Sequence, residues 1–206
     1  MPALYPLPES WYRAGMVEIV QNGDPVLRDT AVSVTEDMFG SEKLSKIVAD
    51  MAEALDSQKD GVAIAAPQIG ISLRIFLVRY DRAAEPSPEG PLPVEIGVYI
   101  NPRFVKASRR REEMDEGCLS VRGYYGKTLR HQRATIEARD EQGRKFERGA
   151  GGLLAQIFQH EYDHLDGVLF IDHAHEVWRM NRENGESMPI GDVPEISKED
   201  TAPLGA

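Results

Sequence analysis

The chain has 206 residues and a formal net charge of −10 at neutral pH, which argues against a broad nucleic-acid-binding surface. With 41% hydrophobic against 28% charged residues it can bury a core, which excludes wholesale disorder. No apolar run nears the roughly 20 residues of a membrane-spanning helix. A lone cysteine, Cys118, forbids an internal disulfide and fits a reducing compartment, so the expected location is cytoplasmic with no membrane contact. The opening Met1-Pro-Ala-Leu-Tyr-Pro-Leu-Pro lacks the basic start and apolar stretch of a secretory signal.

Residues 1–16, with Pro2, Pro6, Pro8 and Gly15, read as an irregular N-terminal arm. Gly23-Asp24-Pro25 makes a turn into a short extended piece, Val26-Leu27-Arg28. Leu44, Ile47, Val48, Met51, Ala52 and Leu55 then form one apolar stripe at helical period, capped by Ser41 or Gly40 and stopped before Gly61. Ser72 to Tyr80 is rich in β-branched and aromatic residues and predicts a strand; Asp81 to Pro93 is proline-rich and predicts a loop. Val98 to Asn101 and Phe104 to Ala107 read as strands around Pro102, and Thr128 to Arg139 alternates. A turn at Asp140-Glu141-Gln142-Gly143 returns the chain through Lys145 to Glu147. Gly149 to Leu165 predicts a second helix with Gly167 at its C-terminal cap. These elements give an α+β fold. The expectation is a single domain over residues 17–183, with small antiparallel or mixed sheets packed around a central H-E-x-x-H helix and an N-terminal amphipathic helix. Residues 184–206, with Pro189, Pro194 and an acidic cluster, read as a flexible tail.

The informative segment is Gln159-His160-Glu161-Tyr162-Asp163-His164-Leu165-Asp166-Gly167. At helical pitch His160 and His164 lie roughly 40° apart around the axis and about 6 Å apart along it, so both imidazoles reach one divalent ion. Glu161 stands beside that ion without having to bind it, where a general base belongs. The helix is otherwise core-like, and burying such a polar trio is costly unless it is partnered. A third histidine at the metzincin spacing is excluded, because that position is Phe170. Glu176, His173 and His175 downstream and Cys118 upstream remain as third-ligand candidates.

Three segments together resemble the peptide deformylases: Gly61-Val62-Ala63-Ile64-Ala65-Ala66-Pro67-Gln68, Glu116-Gly117-Cys118-Leu119-Ser120 and Gln159 through Gly167. The resemblance implies removal of the formyl group from N-terminal formyl-methionine of nascent proteins, with release of formate, in a bacterial cytoplasm. It implies Cys118, His160 and His164 as ligands of one divalent metal ion, Fe²⁺ foremost, with Zn²⁺, Ni²⁺ or Co²⁺ accepted. It implies Glu161 as proton shuttle, and the Gln68 amide with the Leu119 backbone N–H as donors to the oxyanion. Gly61, Val62 and Ala63 would pair with the substrate main chain, and Val62, Leu153 and Ile157 would line the methionine pocket. Glu116 and Arg130 would steady the cysteine loop as a pair that matters only if buried, and Gln159, which precedes the first histidine, would brace the residues behind the ligands. The partners implied are formylated nascent peptides met transiently at the ribosome, by a monomer.

The sequence also departs from the family. Ala63 replaces a glycine, which is tolerable if its φ is negative, and Arg122 and Leu129 stand where many members have proline. Gln156 is polar where an apolar residue is frequent. Some deformylases end in a long basic helix that docks on the ribosome; the tail here is acidic. H-E-x-x-H alone also fits a zinc peptidase of another family, and a third reading is a peptide-binding homologue without turnover.

Overall fold

The computed structural model describes residues 17–84, 94–180 and 186–191. The expected N-terminal arm lies outside them, as does most of the expected tail. The stripe through Leu44, Ile47, Met51 and Leu55 forms α1 (Glu42–Asp56), and the Ser41 hydroxyl caps it by accepting the Leu44 N–H at 3.2 Å. The chain then forms β1 (Ala63–Ala65), a 3-10 turn over Ala66–Ile69, β2 (Ile75–Arg79) and a single helical turn, α2 (Tyr80–Ala83). There follow β3 (Ile96–Ala107), β4 (Arg111–Gly117), β5 (Tyr124–His131), β6 (Arg133–Arg139) and β7 (Lys145–Gly151). Helix α3 (Gly152–Leu165), β8 (Glu176–Met180) and β9 (Ser187–Pro189) complete the described chain.

Two antiparallel sheets result, one in the order β1-β2-β3-β6-β7 and one in the order β4-β5-β8-β9. Strand β2 reads as an unbroken apolar run because both of its faces are covered. Ile75 and Leu77 pack with Leu44, Met51 and Leu55 of α1, while Phe76 and Val78 pack with Ile157, Phe158 and Leu165 of α3. Phe76 stacks on Tyr99 with centroids 4.6 Å apart, and Phe158 meets Tyr99 edge-on at 5.1 Å. Helix α3 therefore lies against the first sheet on the side opposite α1.

Several elements differ from the sequence reading, each for a local reason. Pro25–Arg28 is a 3-10 turn and not an extended piece, because Asp24 caps the Val26 N–H and Pro25 occupies a first-turn position where its missing N–H costs nothing. The two strands expected around Pro102 are one strand with register shifts, where Asn101 takes a left-handed φ of 50°. The alternating run from Thr128 to Arg139 splits at Gln132, with β5 in the second sheet and β6 in the first. Residues 149–151 end β7, so α3 begins at Gly152 and not at Gly149. Ser187–Pro189 pairs with β8, which brings the start of the expected tail into the second sheet. Gly167 has a φ of 73°, and a Cβ there would stand 2.5 Å from the Arg28 carbonyl oxygen, so the helix end abuts the Pro25–Arg28 turn only because this residue is glycine.

Asn101 repays its strained backbone through its side chain, which accepts the Val34 N–H and donates to the Val34 carbonyl, both at 2.8 Å. Asn101→Ala removes both bonds and keeps the strain, and is expected to cost about 2–4 kcal/mol. Chemical denaturation checks this, and Asn101→Gly, which relieves the strain, should lose less.

Candidate metal centre

Cys118 directly follows β4, and His160 and His164 project from the last two turns of α3. Cys118 Sγ lies 3.2 Å from His164 Nε2, and one donor atom from each of the three residues falls within 4.8 Å of the others. No other such triad occurs among the described residues. The downstream candidates are committed elsewhere: His173 Nε2 is 3.4 Å from Asp163, His175 Nε2 is 2.8 Å from Glu113, and Glu176 is exposed at the start of β8.

The ring of His160 is aimed by Glu116, whose Oε2 meets Nδ1 at 2.8 Å and leaves Nε2 for the triad. Glu116 in turn takes Arg130 Nε and Nη2 and the Thr128 hydroxyl, and Arg130 Nη1 reaches Asp163 at 2.6 Å. The condition that this pair be buried is met, with Glu116 4% and Arg130 6% exposed. Burial alone would raise the Glu116 carboxyl, but hydrogen bonds from Arg130 and His160 hold it far below the usual carboxylate range. Thr128 and Asp163 were missed by sequence reasoning. Asp163 carried a signal in its place inside the histidine motif; Thr128 carried none beyond strand alternation.

Burial works against charge on His160, yet bonds to Cys118 and Glu116 raise its pKa well above the usual value. His164, buried and repelled by His160, is held well below its usual value. Two buried polar atoms here have no hydrogen-bond partner, Glu161 Oε2 and His164 Nδ1. A thiol and two imidazoles with the fourth side open fit a divalent ion of the kind that catalytic sites hold.

The remaining expected residues gather nearby. Gln68 is buried: its oxygen accepts the Ala65 N–H at 2.8 Å, and Nε2 faces Cys118 Sγ at 3.5 Å and Ser120 Oγ at 3.2 Å. The Leu119 N–H has no partner among the described residues. A cleft of about 300 Å³ opens over Cys118, His160 and Glu161, and its lining includes Gly61, Val62, Ala63, Leu153, Gln156 and Ile157. Ile157 is buried, whereas Leu153 is 46% exposed at the rim. Gln156 donates to the Asp115 carbonyl at 2.8 Å, which anchors its amide in the cleft wall. Ala63 has no positive φ, so its methyl sits in ordinary backbone. Gln159 does not face the triad; it accepts the His131 N–H at 2.9 Å and donates to the His131 carbonyl at 3.0 Å, bolting α3 to the end of β5.

The family model for polypeptide deformylase matches residues 16–180. The chain belongs to this family. Deformylases are metal-dependent hydrolases that remove the formyl group from N-terminal formyl-methionine. The chain is 39% identical to the peptide deformylase of Halothermothrix orenii, over 76% of this chain and 92% of that protein. It is 35% identical to the chloroplastic peptide deformylase 1A of Solanum lycopersicum over 78% of its length, and spans about three fifths (60%) of that plant protein. A class I type b deformylase from Acinetobacter baumannii, solved with Met-Ala-Ser bound, superposes at a TM-score of 0.68 with 29% identity, covering 78% of this chain and 100% of that one.

Burial pushes the Glu161 carboxyl up from 4.5 to about 7, and the positive charge on His160 opposes the shift. The folded, metal-free protein thus holds this proton more tightly than the unfolded chain, and loses stability as pH rises from 4.5 through 7. Glu161→Gln removes that dependence. With both proteins metal-stripped, the variant's advantage over wild type is expected to open across this window to on the order of 3 kcal/mol, read from urea midpoints at successive pH values.

Proposed function

We propose that this chain is an active peptide deformylase, hydrolysing formyl-methionyl peptides to formate and a free N-terminal methionine. The observation that carries this reading is the meeting of Cys118 with His160 and His164 beside a buried, unpartnered carboxylate oxygen of Glu161. Residues 17–183 form the catalytic domain in this reading, with α3 as its central helix and α1 as the amphipathic helix on the far side of the first sheet.

Cys118, His160 and His164 would hold the ion; a thiolate with two imidazoles suits iron, zinc, nickel or cobalt alike, and Fe²⁺ is inferred from the family resemblance. When bound, the ion supplies a lowered pKa for water and polarisation of the formyl oxygen. Glu161 takes the proton of the attacking water at Oε2 and delivers it to the methionine nitrogen as the formyl C–N bond breaks. The water oxygen leaves with the formyl carbon as formate. Gln68 Nε2 and the Leu119 N–H donate to the oxyanion as the tetrahedral centre forms. The peptide main chain lies along Gly61, Val62 and Ala63 as an added strand, and its methionine enters between Val62, Leu153 and Ile157. Glu116 keeps the His160 ring in its ligating orientation, Arg130 keeps Glu116 charged, and Gln159 holds the helix in place.

The protein works in this reading as a monomer on nascent chains at the ribosome, in a bacterial cytoplasm whose reducing state keeps Cys118 free. Among the described residues no helix is long and apolar enough to cross a membrane.

Glu161→Gln should keep its metal and lose roughly 10²–10⁴-fold in formate release from formyl-Met-Ala-Ser. A near-normal rate in that variant would remove the shuttle role, and wild-type protein that is metal-loaded yet releases no formate would remove the activity. Cys118→Ser should lose most of its metal after anaerobic purification, measured by elemental analysis. Full metal content in that variant would instead favour a peptidase site resting on the histidines alone.

A further inference from the structure

The two groups assigned to the oxyanion stand beside different sheets. Gln68 sits in the 3-10 turn that follows β1, and the Leu119 N–H belongs to the loop that follows β4. Among the described residues, no backbone hydrogen bond joins the Ala66–Ile69 turn to residues 118–122. The Gln68 side chain does reach Ser120 Oγ, but that is the amide that has to donate to the substrate.

A third piece of chain spans the gap. Residues 19–22 belong to neither sheet. The Val20 N–H donates to the Gln68 carbonyl at 2.9 Å, and the Asn22 N–H donates to the Ser120 carbonyl at 2.7 Å. Between them, Gln21 Nε2 donates to the Leu119 carbonyl at 2.9 Å and to the Ile19 carbonyl at 3.2 Å, while Oε1 accepts the Arg122 N–H at 3.4 Å. Both hydrogens and the oxygen of this amide are therefore in use. Ile19 packs into the core cluster that holds α1 and Leu119, so the bridging segment is itself anchored.

Gln21 grips the Cys118 loop at both ends. The Cys118 carbonyl accepts the Val121 N–H at 3.1 Å, which closes a four-residue turn with the peptide between Leu119 and Ser120 at its centre. The N–H and C=O of a trans peptide point opposite ways. The Leu119 N–H thus points away from the bond that closes the turn. Holding the Leu119 carbonyl on Gln21 likewise sends the Ser120 N–H the other way, to Cys118 Sγ at 3.4 Å. Without Gln21, only the Asn22 bond would tie this turn to the segment that holds Gln68. Gln21 does not line the cleft, so it acts through these neighbours.

We propose that Gln21 is a positioning residue for deformylation, setting the Leu119 N–H at the separation from the Gln68 amide that one oxyanion requires. The role rests on the deformylase reading above. It needs a side chain that donates twice and accepts once, which glutamine does and an ionised glutamate of equal length does not.

The test compares wild type, Gln21→Ala and Gln21→Glu, zinc-loaded to equal content, on formyl-Met-Ala-Ser. In both variants kcat should fall about tenfold with KM nearly unchanged, because a misplaced donor acts on the transition state. Gln68→Ala leaves no pair to align, so adding Gln21→Ala to it should cost less than about threefold more. A role confined to holding the fold would give the same loss in both backgrounds. Amide hydrogen exchange of the metal-free proteins is independent of turnover: Val121 and Arg122 should exchange faster in Gln21→Ala, while α1 and α3 keep their protection. An unchanged kcat, a loss through KM alone, equal losses with and without Gln68, or unchanged exchange at Val121 and Arg122 would overturn the proposal. Wild type that releases no formate would instead sink the deformylase reading, and exchange would still decide whether Gln21 holds the turn.

Discussion

The buried Glu116 carboxylate is the joint on which the site depends. It sits two residues before Cys118 and binds Thr128 and Arg130 on β5 and His160 on α3. One charge thus ties the thiol-bearing end of β4 to its neighbouring strand and to the helix that carries both imidazoles. Two buried ions are expensive to desolvate, and breaking such a pair by removing one partner usually costs about 3–5 kcal/mol. The return here is positional, because the charge that satisfies Arg130 also fixes which nitrogen of His160 faces Cys118.

The triad lies where two sheets meet, and this follows from how the chain crosses between them. Strand β5 belongs to the second sheet and β6 to the first, with only Gln132 between them. Helix α3 packs its apolar face on the first sheet through Phe158 and Leu165, and Gln159 clamps it to the backbone of His131 at the crossing. The histidines on the adjoining face then look toward the loop that leaves the second sheet. Hydrophobic packing sets where the helix lies, and the hydrogen-bonded clamp sets its rotation and height.

The cleft inherits its lining from that junction. The lining includes the open edge of β1, which is short and buried between α1 and α3, the Cys118 loop and the first turns of α3. An unpaired strand edge normally invites aggregation. Here it lines a cleft only a few residues long, and the Gln68 side chain already occupies the Ala65 end of it.

Much was fixed by local sequence. The periodicity of Leu44 to Leu55 determined α1, the apolar run at Ile75 to Val78 determined a strand, and the i, i+4 histidines determined a metal-binding face, because each depends only on spacing along a regular element. Helix α3 starts three residues later than the sequence predicts, because Gly149–Gly151 pair in β7, and β4, rich in charge, carries no strand signal because it pairs with β5 and shows one side to solvent. Spacing along the chain left Cys118, His173, His175 and Glu176 all open, and the motif resemblance favoured Cys118; tertiary packing is what brings that sulfur, 46 residues distant, to 3.2 Å from His164. It alone decided that Glu116 and Arg130 are buried, because burial belongs to what surrounds a residue and not to the residue itself.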